Sequence, residues 1–195
     1  NGLVWGAFCN AGQVCVRAKR VYVDKKISKE LSQRIVEKTN ALRRGIDFGP
    51  IISEKQLGVV DDFVKDAIAK GAKILSGGKR LMNGGGFYYA PTVLDHLPKN
   101  VDLLRNECFG PVLPLITVSN ETEAIEMAND SNYGLGASVW TRNLERGQAI
   151  ALRLATGMVW VNDVNVAFPE APWGGQKQSG IGVELSKWGL FEYTN

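Results

Sequence analysis

The chain has 195 residues, 45% apolar and 22% charged, a balance ordinary for one compact globular domain. Its net charge of +3 comes from basic residues scattered among acids, which excludes the basic stripe of a nucleic-acid surface. No apolar run approaches the roughly 20 residues that span a bilayer, and no basic-then-apolar secretory signal opens the chain, so neither nucleic acid nor membrane is an expected partner. Three cysteines, Cys9, Cys15 and Cys108, cannot all pair internally, and none has Cys-x-x-Cys spacing. Reduced thiols in a cytoplasmic compartment, with no metal site, are the expectation.

In chain order, Leu3 to Phe8 is an apolar, helix-like run and Arg20 to Val23 is strand-like. Asn1-Gly2-Leu3 reads as the middle of a helix without its cap, so the sequence is expected to be part of a longer chain. Between the two runs lies Asn10-Ala11-Gly12-Gln13-Val14-Cys15, a glycine turn whose cysteine is held by backbone on both sides. Only a few per cent of a free thiol is thiolate at neutral pH, yet that thiolate is intrinsically very nucleophilic. Arg17, Lys19 and Arg20 would lower the thiol pKa if they face it. The competing reading is a buried, inert cysteine.

Ser28 with Leu31, Ile35 and Leu42 has helical spacing behind an N-cap, and Gly45 and Gly49-Pro50 punctuate the stretch after it. Ser53 to Gln56 spells a capping box, with Leu57, Val60, Val64, Ala67 and Ile68 on one face behind it and Lys70-Gly71 as the stop. Ala72 to Leu75 reads as a short buried strand. Gly77-Gly78 and Gly84-Gly85-Gly86 bracket a loop, and Phe87 to Val93 is extended with a bend or edge at Pro91. Val112 to Val118 is a strand, and Asn120 with Glu123 caps a helix. Leu135 to Val139 alternates as a strand, Asn143 opens a helix expected to end at Gly157, and Met158 to Val161 is the last strand. Strands alternating with helices predict an α/β fold, a mostly parallel twisted sheet flanked by helices.

Five blocks in order carry a family resemblance. Phe8-x-Asn10-x-Gly12-Gln13-x-Cys15 followed by Arg20-Val21-x-Val23 resembles the nucleophile segment of the aldehyde dehydrogenase superfamily. Glu107-x-Phe109-Gly110-Pro111-Val112 is similar to its second diagnostic motif. Ala128 to Asp130 with Tyr133 to Leu135, then Gly157 to Asn162, then Pro172 to Gly180 are similar to later blocks. The resemblance covers residues 1–195 as one catalytic domain of the family's type and implies the rest. Cys15 would attack the aldehyde carbon, with its own backbone N–H helping to hold the oxyanion. Glu107 would bind the nicotinamide ribose hydroxyls of NAD or NADP, and Phe109 would pack near the nicotinamide ring. Phe168 and Trp173 would line the aldehyde tunnel. Trp173 beside Pro172 resembles the variant of amino- and betaine-aldehyde enzymes, where an indole face attracts a quaternary ammonium. Asn162 is expected to order its loop, and His96 to be a surface histidine. The family also implies a homo-oligomer, dimer or tetramer.

Departures from the pattern matter as much. Fourteen residues precede Cys15, and they contain no Glu-x-Gly-Gly-Lys-like segment, where the family carries its general base. No Gly-x-Gly-x-x-Gly after a strand and no phosphate-binding Gly-x4-Gly-Lys-Ser/Thr occurs. The expectation is a catalytic domain cut at both ends, without its dinucleotide-binding domain, and barely active by itself. A non-catalytic assembly module and a cofactor-independent thiol esterase remnant are the alternatives.

Overall fold

A computed structural model describes residues 1–82 and 85–194, so Gly84 of the expected glycine loop and Asn195 lie outside the described residues. Two compact units divide the chain, Asn1–Ala124 and Ile125–Asn195.

The first unit carries α1 (Gly2–Phe8), β1 (Val21–Asp24), α2 (Ser28–Asn40), α3 (Glu54–Ala69), β2 (Lys73–Ser76), β3 (Arg80–Leu81), β4 (Tyr88–Tyr89), β5 (Thr92–Asp95) and β6 (Val112–Val118). Four of the strands form a sheet in the order β1-β6-β5-β2, with β1, β6 and β5 parallel and β2 antiparallel at the edge. Val93 and Leu113 join one cluster with Val4, Phe8 and Ile35, from α1 and α2. Their neighbours Leu94 and Val112 join the opposite cluster with Leu57, Val60 and Val64, from α3. Successive side chains of a strand point to opposite faces, so burial on both sides demands a continuous apolar run rather than alternation. Val112-Leu113-Pro114-Leu115 supplies it.

Local signals mostly place the elements and miss some of their details. Ser53 caps α3 by accepting the Gln56 N–H at 3.2 Å, but the Gln56 side chain does not return to complete the box. Ser28 is not a cap: Ile27 already has helical dihedrals, and the Ser28 hydroxyl donates to the Lys25 carbonyl at 3.2 Å. The expectation of a buried strand over Ala72 to Leu75 is not met. β2 is a half-exposed edge, because only one neighbour, β5, pairs with it. Ile68 falls at the rim of the α3 face and is exposed. Pro91 interrupts the extended run between β4 and β5. Asn120 accepts the Glu123 N–H at 2.9 Å while Glu123 accepts from Ser119 N–H at 2.7 Å, a reciprocal cap for α4 (Glu121–Asn129), the helix in which the two units divide.

The second unit carries β7 (Tyr133–Gly134), β8 (Gly136–Val139), α5 (Leu144–Ala151), β9 (Met158–Val161), β10 (Trp173–Gly174), β11 (Gln176–Lys177), β12 (Val183–Glu184) and α6 (Ser186–Phe191). β8 and β9 pair in parallel, Gly136 opposite Met158 and Val139 opposite Val161. Asn143 caps α5 by accepting from Arg146 N–H at 2.9 Å, and the helix ends at Ala151, six residues before Gly157. The two-residue ladders β7 with β11 and β10 with β12 are too short to leave a period in sequence. At Gly157 a Cβ would lie 1.9 Å from the Gly174 carbonyl oxygen, which requires glycine where these backbones cross. Among the described residues no helix is long and apolar enough to cross a membrane.

Ile35 is buried between α2 and the sheet. Truncation to alanine removes that contact and leaves a cavity. Ile35→Ala is expected to lower stability by about 2–5 kcal/mol in denaturant melts. A loss under about 0.5 kcal/mol would contradict the packing described.

Candidate active site

α1 ends at Phe8, and Asn10, Ala11 and Gly12 then take left-handed dihedrals in succession, with φ of 49°, 54° and 70°. For Ala11 this conformation costs about 1–2 kcal/mol, so neighbouring contacts must hold it. Asn10 Nδ2 donates to the Gln13 carbonyl at 3.0 Å, and the Gln13 backbone N–H returns to the Asn10 carbonyl at 3.1 Å. The Gln13 side chain behaves like a strand partner. Its Nε2 donates to Pro50 O at 3.2 Å and its Oε1 accepts from Ile52 N–H at 2.8 Å. Gly12 is indispensable in another way: a Cβ there would sit 2.2 Å from the Gly110 carbonyl oxygen. Only a bare backbone lets the thiol turn touch the Glu107–Pro111 segment.

Cys15 follows, exposed, in a turn closed by Arg17 N–H donating to Val14 O at 3.2 Å. Among the described residues its backbone N–H donates to no main-chain carbonyl. Cys9 is half-buried and Cys108 fully buried.

Arg17 and Arg20, two of the cations expected to face the thiol, have partners elsewhere. Arg17 is buried, its Nη1 donating to Val112 O at 2.9 Å and its Nη2 to Cys108 O. Burial pulls its pKa down, opposed by the charges of Cys108 and Glu107. Arg20 lies over the Tyr22 ring at 5.7 Å. Lys19 is half-buried, and burial lowers its pKa to about 8 against the raising pull of Glu107, with Arg17 and Arg20 adding to the lowering. The same burial pushes the Cys108 thiol up to about 11, so this cysteine is a packing residue.

The Glu107–Pro111 segment is held from three sides. Arg17 grips Cys108 O, Gly12 abuts Gly110, and Gln56 Nε2 donates to Phe109 O at 3.0 Å. Gly110 also backs onto Val60 of α3, whose Cγ2 a Cβ would meet at 2.3 Å. On this fixed stretch Glu107 is exposed and Phe109 half-buried. The first unit therefore brings the segment of Cys15 and that of Glu107 and Phe109 together. Gln13, which anchors the thiol turn to Pro50 and Ile52, and Gln56, which anchors Phe109 to α3, carry a sequence signal only as a motif letter and a capping-box letter.

In the second unit Trp173 is half-buried and packs against Trp160, with ring centroids 6.0 Å apart and planes at 60°, while Phe168 is 54% exposed. Sequence reasoning misses Trp160 as a member of this aromatic pair. Its Nε1 donates to Val166 O at 2.9 Å, tethering the loop that leads to Phe168. Asn162 clasps Thr141, accepting its N–H and donating to its carbonyl, both at 2.8 Å, which orders the loop start. His96, in the first unit, is exposed with Nδ1 3.3 Å from Asp95.

The sequence profile of the aldehyde dehydrogenase family matches residues 1–195. Betaine aldehyde dehydrogenase of Bacillus subtilis (strain 168) is 41% identical, over 96% of this chain and 40% of that protein. Aminoaldehyde dehydrogenase 2, peroxisomal, of Pisum sativum is 40% identical, over 98% of this chain and 40% of that one. A crystal structure of betaine aldehyde dehydrogenase from Staphylococcus aureus in complex with NAD+ superimposes with a TM-score of 0.95 at 35% identity, covering 98% of this chain and 40% of that one. The chain thus spans about two-fifths of the length of the curated relatives it matches.

Exposure orders the thiols for alkylation: Cys15 before Cys9 before Cys108. Peptide mapping after brief iodoacetamide treatment checks this, and labelling of Cys108 ahead of Cys15 would refute it. Lys19 yields a pH dependence. Its folded pKa of about 8 lies below the ordinary 10.5, so between these values the unfolded chain holds a proton that the folded chain lacks, and stability rises with pH. Cys108 acts oppositely above pH 9, so the difference between the wild type and Lys19→Met carries the signal. Melting curves from pH 8 to 10.5 are expected to show the wild type gaining on the variant, and a constant difference would refute the assignment.

Proposed function

The chain belongs to the aldehyde dehydrogenase family, and from that membership we propose that its 195 residues are the catalytic domain supplying the thiol for NAD(P)-dependent oxidation of an aldehyde to a carboxylic acid. The observation that supports this best is an exposed Cys15 directly after a strained turn that abuts the segment of Glu107 and Phe109.

The Cys15 thiolate attacks the aldehyde carbon, forming a C–S bond while the carbonyl electron pair moves to oxygen. The product is a thiohemiacetal. The Cys15 backbone N–H, with no main-chain acceptor among the described residues, donates to the developing oxyanion, where a preorganised donor lowers the barrier most. Glu107 fits the role of accepting from two ribose hydroxyls, because an exposed carboxylate has only acceptors to offer and is carried here on a rigid stretch. Phe109 supplies an apolar wall for the nicotinamide. When bound, NAD or NADP supplies the hydride acceptor that converts the thiohemiacetal to a thioester. Hydrolysis of the Cys15 thioester then releases the acid and regenerates the thiol.

Phe168 and Trp173 select the aldehyde in this reading. Two relatives are named for betaine and amino aldehydes, and the pair of indoles at Trp160 and Trp173 offers π faces to a cationic group. Such an attraction is worth about 0.5–2 kcal/mol. A homo-oligomer is the proposed assembly.

Glu107 and Phe109 would touch one end of the cofactor, and the expected general-base segment does not occur in these residues. With NAD or NADP and short aldehydes the chain is therefore expected to turn over slowly, and Cys15→Ala to abolish what turnover there is. Equal NADH or NADPH formation by the two proteins would end the assignment of Cys15. Fast turnover by the wild type would end the claim of weak activity.

A further inference from the structure

The sequence offers Arg17 only as a charge near a thiol, whereas its geometry gives it another task. Its backbone N–H closes the Val14–Arg17 turn that carries Cys15, at 3.2 Å. Its buried side chain reaches across to the other segment and donates to the carbonyl oxygens of both Cys108 and Val112. Between those two carbonyls lies Gly110, whose carbonyl abuts Gly12, in the left-handed turn just before Val14. A guanidinium taken out of water needs its donors met, and its rigid planar fork holds the two carbonyls at a fixed spacing that a flexible ammonium does not impose. One residue therefore joins the turn of Cys15 to both ends of the Cys108–Val112 stretch.

We infer that Arg17 is a positioning residue: it fixes the Cys15 backbone N–H and thiol relative to the Glu107–Phe109 segment, so that attack and oxyanion stabilisation occur in register. The inference rests on the nucleophile role proposed for Cys15, and the two fail separately when an acylating and an alkylating reagent are compared.

The two reagents distinguish positioning from reactivity. With p-nitrophenyl acetate, the Cys15 thiolate attacks the ester carbonyl, an S–C bond forms, the C–O bond breaks, and p-nitrophenolate leaves with the electron pair. That route passes through an oxyanion. Iodoacetamide alkylates the same thiolate by displacing iodide at a methylene, with no oxyanion. The ratio of Cys15 acylation to alkylation rates, followed by peptide mass, therefore reports positioning with thiol exposure divided out.

A misplacement of about 1 Å lowers such rates by up to about 10²-fold, so Arg17→Met is expected to lower the ratio at least about tenfold. Arg17→Lys keeps the charge but not the fork, and should fall between the two. Ile35→Ala, destabilised elsewhere, should melt lower with its ratio unchanged. A wild-type Cys15 that p-nitrophenyl acetate does not acylate overturns the nucleophile reading and this inference with it. A wild type that is acylated, beside Arg17 variants of unchanged ratio and lowered melting temperature, overturns the inference alone. If Arg17→Met does not fold, Arg17→Lys decides by the same ratio: a fall of at least about threefold supports the inference and no change overturns it.

Discussion

Two backbones meet where Gly12 faces the carbonyl of Gly110, and the first unit's chemistry depends on that approach. The contact is closer than any Cβ permits, so it specifies glycine at position 12 through distance as well as through its left-handed φ of 70°. Its costs are strain in Ala11 and a buried positive charge at Arg17. A buried charge is tolerable only when hydrogen-bonded, and here three backbone carbonyls, those of Ala18, Cys108 and Val112, accept from it. The guanidinium satisfies them and they satisfy it. Removing either side would leave an unmet buried group, which makes the junction cooperative.

The sheet explains why this junction is stiff. β6 begins at Val112, directly after the gripped segment, and is paired in parallel on both sides, by β1 and β5. β1 begins at Val21, a few residues after Cys15. The thiol turn and the Glu107 segment are thus the leads into two adjacent parallel strands, and their separation is inherited from the ladder. α3 adds a third support, since Val60 backs Gly110 and Gln56 holds Phe109 O. Gln56 could have closed its own helix terminus. Its diversion to a residue 53 positions away replaces a local capping bond with a tertiary one.

The second unit builds its aromatic loop by a related device. Trp160 leaves β9, hydrogen-bonds Val166 and packs on Trp173, while Asn162 extends the β8–β9 pairing through its side-chain amide. Both side chains act as surrogate backbone. That lets a loop of irregular dihedrals, including left-handed Asn162 and Asn165, hold a defined course without a strand of its own.

Periodicity and capping chemistry are local, and what they govern is legible in the residues alone. β6 and β9 fall on the runs expected of them, Asn120 and Asn143 cap as their spacing predicts, and the α/β class follows from alternation. The motif around Cys15 is legible for the same reason: Gly12, Gln13 and Cys15 are adjacent. The fates of Arg17, Gln56, β2 and Ser28 are not. Arg17 meets partners 91 and 95 residues away, and nothing in its flanks distinguishes a cation aimed at a thiol from one turned into the core. β2 reads as buried by composition and becomes an edge because the sheet order, a global property, gives it one neighbour. Short-range physics is written along the chain, whereas choices among distant polar partners are made only when the backbone has already brought them together.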